Sequence, residues 1–254
     1  MSKLISGYLW AFRNYESGKM SVNSLRKFYP DSDIFINVDF EGDITNYTNV
    51  CDEINATVSR NNFQLGYCGN FGGREFGYEC WSKESTFEWL RGIYDACNKT
   101  DSKYMMLLEE DDFVLRNISI LDTDFSMAIH PTAPSPTGRM RPNFIPEQFI
   151  SYVSTFGGNP IVNGYASGGG TIFNRVEFID AWNRCKASLW KDYDDLKKIN
   201  KIIGWADFIL QFVMMLGGYK IIQNDNLCEH WEVEDSWINF EVVTGFKDHA
   251  LIKL

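Results

Sequence analysis

The sequence contains no Cys-x-x-Cys pair. Its six cysteines, Cys51, Cys68, Cys80, Cys97, Cys185 and Cys228, stand far apart, which excludes the common zinc-ribbon spacings. Reduced, mostly buried thiols are expected instead. No stretch reaches the ~18 apolar residues of a membrane span. The start, Met1 to Arg13, has an apolar patch but neither a long h-region nor a small-residue cleavage site. A cytoplasmic chain without a membrane anchor is expected, in which the N-x-[ST] sequons at Asn46, Asn55, Asn98 and Asn117 occur by chance. Positive charge is also short: 24 Lys and Arg against 34 Asp and Glu leave a net charge of −10. A field of that sign opposes general attraction to nucleic acid or anionic lipid, so no nucleic-acid partner is expected. Histidine is scarce, with only His130, His230 and His249. Proline is nearly confined to one place, since five of the seven prolines fall between 131 and 146.

What remains is an ordinary globular composition. Hydrophobic residues make up 44%, aromatics 15% and charged residues 23% of 254 residues, which excludes a disordered tail, a collagenous chain and a disulfide-stapled miniprotein. At roughly 150 residues per domain, the length suits one large α/β domain or two small ones. Short apolar runs alternate with helical patterns in the first half, as βα units do. Residues 3–12 read as a first strand. Val22, Leu25 and Phe28 follow on one helix face behind Ser21, an expected N-cap, and the helix stops before Tyr29-Pro30. Ile34 to Val38 is a second strand ending at Asp39. Phe87, Leu90, Tyr94 and Cys97 mark another helix, with Ser82 placed to cap it.

The most informative segment comes next. Tyr104 to Leu108 is a five-residue apolar run followed at once by Glu109-Glu110-Asp111-Asp112, then Phe113 and Val114. Such a run reads as a central strand buried on both faces, and open α/β sheets bind ligands off the carboxyl ends of such strands. Crowded carboxylates repel one another unless a proton or cation neutralises them, and Mg²⁺ or Mn²⁺ takes oxygen ligands. The four acids are thus a candidate metal or substrate site, against the plainer reading of a solvated turn. The Pro-rich loop at 131–146 carries Arg139 and Arg141, which suits a lid closing over an anion or a simple surface loop.

Residues 147–156 read as a helix opened by Pro146, with Phe149, Ile150 and Val153 on one face. Gly168, Gly169 and Gly170 then precede a short strand and a helix through Phe178, Trp182 and Cys185; the run matches neither a Walker A loop nor a nucleophile elbow. Consecutive glycines let backbone approach a ligand closely or simply turn. Residues 204–218 form a nearly all-apolar helix in which Asp207 is the only charge. That carboxylate is either a helix-start residue opposing the macrodipole or a base aimed into a cleft. His230 follows a strand over Tyr219 to Ile222 and is a candidate ligand completing a shell begun by the acids.

Taken in order, these features resemble nucleotide-sugar glycosyltransferases of the GT-A fold. The order is a strand–helix–strand start through Asp39, an acidic strand end, a glycine-rich strand entry, an acidic helix start and a late histidine. The likeness is one of layout, over residues 3–231. It implies an α/β fold, a GT-A-like (Rossmann-like) mixed sheet flanked by helices. A nucleotide-binding half over 1–112 and an acceptor-binding, catalytic half over 113–254 would abut in one domain. It also implies an enzyme that moves a sugar from a nucleotide diphosphate, a UDP-sugar being favoured, to a glycan hydroxyl with Mn²⁺ or Mg²⁺.

By the same resemblance Glu110-Asp111-Asp112 is an E-D-D version of the D-x-D motif, with Asp112 on the metal and Glu110 and Asp111 near ribose and base; Glu109-x-Asp111 is a competing register. His230 would be the late metal ligand. Phe12, Arg13 and Asp39 would grip the base, with Lys83 and Arg74 as further donor contacts. Gly168 to Gly170 would lie beside donor sugar and acceptor. Asp207 would be the general base of an inverting transfer, although Ala206 precedes it where the family has Glu. An unanchored chain of this kind resembles bacterial or virus-encoded enzymes, the latter working in the host cytoplasm. Two rivals use the same residues differently: a metal-dependent nucleotidyltransferase or phosphodiesterase, and a non-catalytic carbohydrate-binding domain built on the eight Trp and twelve Tyr.

Overall fold

The computed structural model describes residues 3–11, 15–39, 44–62, 82–110, 112–129, 145, 147–160, 169–204, 206–223, 227–229 and 251–253. Strand β1 (Ile5–Ala11) leads through helix α1 (Tyr15–Phe28) to β2 (Ile34–Val38), and α2 (Ile44–Ile54) leads to β3 (Thr57–Arg60). Helix α3 (Lys83–Asn98) precedes β4 (Tyr104–Glu109), β5 (Asp112–Val114), β6 (Met127–Ile129) and α4 (Glu147–Thr155). Strand β7 (Ile172–Asn174), the long α5 (Arg175–Ile199), α6 (Ala206–Leu216), β8 (Ile221–Gln223), β9 (Leu227–Glu229) and β10 (Leu251–Lys253) complete the order.

Seven strands form one sheet in the order β3-β2-β1-β4-β7-β6-β8. The first four run parallel, while β7 is antiparallel to both β4 and β6. The fold class is thus the expected α/β, a mixed sheet flanked by helices. The sheet passes without a break from strands of residues 1–112 into strands of 113–254. Among the described residues no helix is long and apolar enough to cross a membrane.

The period-2 alternation of β1 and β2 divides the core into two layers. Leu9, Ala11, Ile34, Ile36 and Val38 face α1 and α2, packing with Val22, Leu25, Tyr47 and Cys51. Tyr8, Phe35, Met105 and Leu107 face the other way, onto α3, α5 and α6 with Trp89, Phe178, Trp182 and Phe212. Strand β4 is fourth of seven and buried from Tyr104 to Leu108, as its uninterrupted apolar run requires.

Ser82 caps α3 as expected, its side chain accepting from Ser85 N–H. Ser21 does not cap α1. The helix starts six residues earlier, at Tyr15, and Ser21 is buried within it beside Ser17 and Gly18. The reason is that α1 approaches the sheet on a face of small residues, which an apolar pattern does not reveal. In α4, Phe149 and Val153 are buried, but Ile150 lies 39% exposed, one position off the inward stripe.

Candidate functional site

The polypeptide visits β2 and β3 on one side of β1, then crosses to β4 on the other. That reversal makes the carboxyl ends of β1 and β4 a topological switch point, where open α/β sheets bind ligands. Register places Trp10 opposite Glu109 and Ala11 opposite Val38. Asp39 N–H donates to Ala11 C=O at 2.8 Å. The ends of β2, β1 and β4 therefore stand side by side, and Asp39 and the acidic turn flank the end of β1. Asp39 is fully buried. Phe12 and Arg13, expected next to it, lie outside the described residues.

Each described acid of the turn has a defined partner or neighbour. Glu109 closes β4, and its N–H donates to Asp112 Oδ2 at 2.6 Å. Asp112 opens β5 with none of its surface exposed, so its carboxylate folds back over its own turn. Glu110, half-buried, accepts a hydrogen bond from the Tyr47 hydroxyl on α2. Its backbone carbonyl accepts one from the Ser17 hydroxyl in the first turn of α1. Asp111 lies outside the described residues.

The glycine segment reaches the same turn. Leu107 N–H donates to Thr171 C=O at 2.8 Å, and Gly170 N–H donates to Leu107 C=O at 2.9 Å. Gly170 adopts φ +82°, a left-handed conformation natural to glycine. A Cβ on Gly169 would stand 1.8 Å from Asp112 Oδ2, so this position must be bare for the buried carboxylate to fit. Gly168 lies outside the described residues.

The second sheet ties the chain's end to the acids. Its order is β5-β10-β9, and Lys253 of β10 pairs with Asp112 on one side and Glu229 of β9 on the other. Strand β9 thus ends two strands away from Asp112. His230, the next residue, lies outside the described residues, as do Arg74 and residues 131–144 and 146 of the Pro-rich stretch. Asp207 sits in the first turn of α6; its side chain is not among those described.

Lys83 is held by Asp194 of α5 at 2.8 Å and lies 4.9 Å from the centre of the Trp190 ring, so its charge is already compensated there. A cavity of about 90 Å³ runs along the flank between β2, β3 and α3, lined by Tyr8, Asn37, Ser59, Asn61, Glu88 and Gly92 among others. None of the strand-end acids lines it. Cys51, Cys97 and Cys185 are buried free thiols, as expected of them.

For a cation, the donor set at the turn is carboxylate oxygen, which suits a hard dication such as Mg²⁺ or Mn²⁺. Among the described residues no three His, Cys, Asp or Glu side chains gather closely enough to hold a metal ion. Asp111 and His230 would have to supply the rest.

Sequence reasoning missed Tyr47 and Ser17. Tyr47 sits in α2, where Ile44, Tyr47, Cys51 and Ile54 recur at steps of three, four and three, a signal that could have pointed to it. Ser17, Ser21 and Ser24 recur at helical spacing on one face of α1, a pattern that could have pointed to Ser17; Ser24 Oγ accepts from Val114 N–H at 2.8 Å.

No protein-family model matches the chain, and no curated protein matches it significantly. Among solved structures it is similar to TarS of S. aureus, at 12% identity and TM-score 0.46 over 87% of this chain; it spans 35% of the length of TarS. It is also similar to the galactosyltransferase LgtC in complex with donor and acceptor sugar analogs, at 12% identity and TM-score 0.45 over 97% of this chain and 86% of that one. A third neighbour is the apo-form glycosyltransferase GlyE of Streptococcus pneumoniae TIGR4, at 11% identity and TM-score 0.42 over 86% of this chain and 45% of that one. Likeness at this level establishes neither a shared fold nor a shared activity.

Proposed function

We propose that the chain is a GT-A-type glycosyltransferase that moves a sugar from a nucleotide diphosphate, a UDP-sugar being favoured, to a hydroxyl of a glycan acceptor. The observation that carries this reading is the acidic turn at the carboxyl end of β4, at the β1/β4 crossover, with the glycine segment folded against it. A diphosphate is a poor guest for a chain of net charge −10, and a divalent cation bound with it would neutralise its charge and that of the leaving diphosphate.

Two registers of the acidic motif are open, and the described contacts support Glu109-x-Asp111. Asp112 is turned onto the Glu109 N–H and Gly169, and Glu110 is tied to Tyr47. In this reading Glu109 and Asp111 face the donor and cation, His230 after β9 completes the donor set, and Asp39, Phe12 and Arg13 hold the base. The segment Gly168 to Gly170 lies beside acceptor and donor sugar, with Gly169 bare to admit the Asp112 carboxylate. Asp207 takes the proton from the acceptor hydroxyl as its oxygen bonds to the anomeric carbon and the bond to the diphosphate breaks, with inversion.

The test is nucleotide release from UDP-sugars with Mn²⁺ and a glycan acceptor. Asp207→Asn is expected to keep donor binding and lose at least about a hundredfold in turnover, the scale of a general base. Full turnover in that variant removes Asp207 from the chemistry.

A further inference from the structure

We propose that Tyr47 is a positioning residue for this site: its hydroxyl clamps the Glu110 carboxylate against α1 and α2, so that Glu110 braces the acidic turn and does not contact the ligand. The inference rests on the proposed donor-binding role of the β1 and β4 strand ends.

Three observations carry it. First, Tyr47 is wholly buried, 1% exposed, and spends its hydroxyl on Glu110. A buried phenol keeps that hydroxyl satisfied. Burial, and then the negative charge of Glu110, raise its pKa above the ordinary 10.0. The phenol therefore stays protonated and acts as a donor.

Second, the contact is built from both sides. Gly18 of α1 faces the ring, and a Cβ there would come within 3.1 Å of the Tyr47 hydroxyl oxygen. Helix α1 thus keeps a bare position where the tyrosine passes. Third, Glu110 is gripped twice, at its carboxylate by Tyr47 and at its backbone carbonyl by Ser17. Ser17 lies in the first turn of the helix that follows β1. The brace thus joins the acidic turn to the start of α1, beside the strand ends at which the donor is proposed to sit. Glu110 stands between the two proposed ligands, Glu109 and Asp111, so the brace acts on them through the turn; loss of an outer contact that orients ligating groups typically lowers metal affinity roughly 10–100-fold.

The experiment is a titration with Mn²⁺ in the presence and absence of UDP, following free Mn²⁺ by its electron paramagnetic resonance signal. It compares wild type, Tyr47→Phe and Glu110→Gln well below the melting temperature of each. A brace predicts that Tyr47→Phe, which removes the donor, loses on the order of tenfold in UDP-dependent Mn²⁺ affinity. Glu110→Gln retains an oxygen acceptor for the tyrosine and is expected to stay within about twofold of wild type.

The reverse order, with Glu110→Gln losing most of the binding and Tyr47→Phe little, makes Glu110 a ligand and overturns the proposal alone. A lowered melting temperature for Tyr47→Phe with unchanged affinity reduces Tyr47 to packing and overturns it too. A wild-type chain that binds no Mn²⁺ with or without UDP overturns the donor reading and this inference together.

Discussion

Asp112 and Gly169 are in contact because one is charged and buried and the other has no side chain. A Cβ at 169 would fall 1.8 Å from Asp112 Oδ2, and the carboxylate is held by Glu109 N–H at 2.6 Å. Gly169→Ala is therefore expected to destabilise by about 1–3 kcal/mol through overpacking. Asp112→Ala should cost a similar ~1–3 kcal/mol by leaving the Glu109 N–H without its acceptor. The two costs are not independent, since removing the carboxylate also removes the clash. Urea unfolding of the double variant should show a total at least about 1 kcal/mol below the sum of the single changes. Strict additivity would mean that the two residues do not touch.

At the scale of elements, the N-terminal stops of the two long helices are set by side chains whose effect is measurable. Ser82 accepts from Ser85 N–H at the start of α3, and Asn174 accepts from Val176 and Glu177 N–H at the start of α5. Ser82→Ala and Asn174→Ala are each expected to cost about 1 kcal/mol, while Asn174→Gly should cost only a few tenths. Equal losses for Ala and Gly at 174 in chemical denaturation would argue against a capping role.

The legibility of the sequence divides along similar lines. Strand β2 and helices α3 and α6 could be read because each carries its own apolar signal: Ile34 to Val38 is a wholly buried run, Phe87, Leu90, Tyr94 and Cys97 recur at helical spacing, and α6 is nearly all apolar. Strand β3 is an edge strand, Thr-Val-Ser-Arg, with mostly exposed residues. It has no apolar stripe on which pattern reading depends, whereas α2 carries Ile44, Tyr47, Cys51 and Ile54 at helical spacing, a signal passed over among its polar residues. The start of α1 was hidden for a related reason, since Ser17, Gly18 and Ser21 pack by being small. The acidic turn itself was legible from its position after β4. The direction of each acid was not, because Tyr47 and Gly169 are 63 and 57–60 residues distant in sequence from Glu110 and the Glu109–Asp112 turn.

Across the whole molecule, burial of ionisable groups sets a limit on the alkaline side. The Cys185 thiol is pushed by burial from 9.0 to about 12, and the Tyr193 hydroxyl from 10.0 to about 12, burial outweighing its bond with Thr86. Both groups hold their protons in the folded chain to higher pH than in the unfolded one. Their contribution is fully present below pH 9 and is lost as pH rises toward 12, each by up to about 1.4 kcal/mol per pH unit. The melting temperature should therefore fall steadily above pH 9. A melting temperature that stays level from pH 8 to 11 would contradict the burial of these groups.

The same scale holds the central claim, that the chain binds a nucleotide diphosphate together with a divalent cation at the ends of β1 and β4. A ligand that binds only the folded state raises the melting temperature, by about 2.7 kcal/mol of added stability at a hundredfold excess over its dissociation constant. The most direct measurement is the melting temperature with UDP, GDP, CMP or dTDP, each with and without Mn²⁺, and with UDP-glucose added. The account predicts a rise for one diphosphate, UDP being favoured, that disappears when Mn²⁺ is withheld. No shift for any nucleotide under any metal condition would contradict it, and a shift with free glycan alone would make the chain a carbohydrate-binding domain.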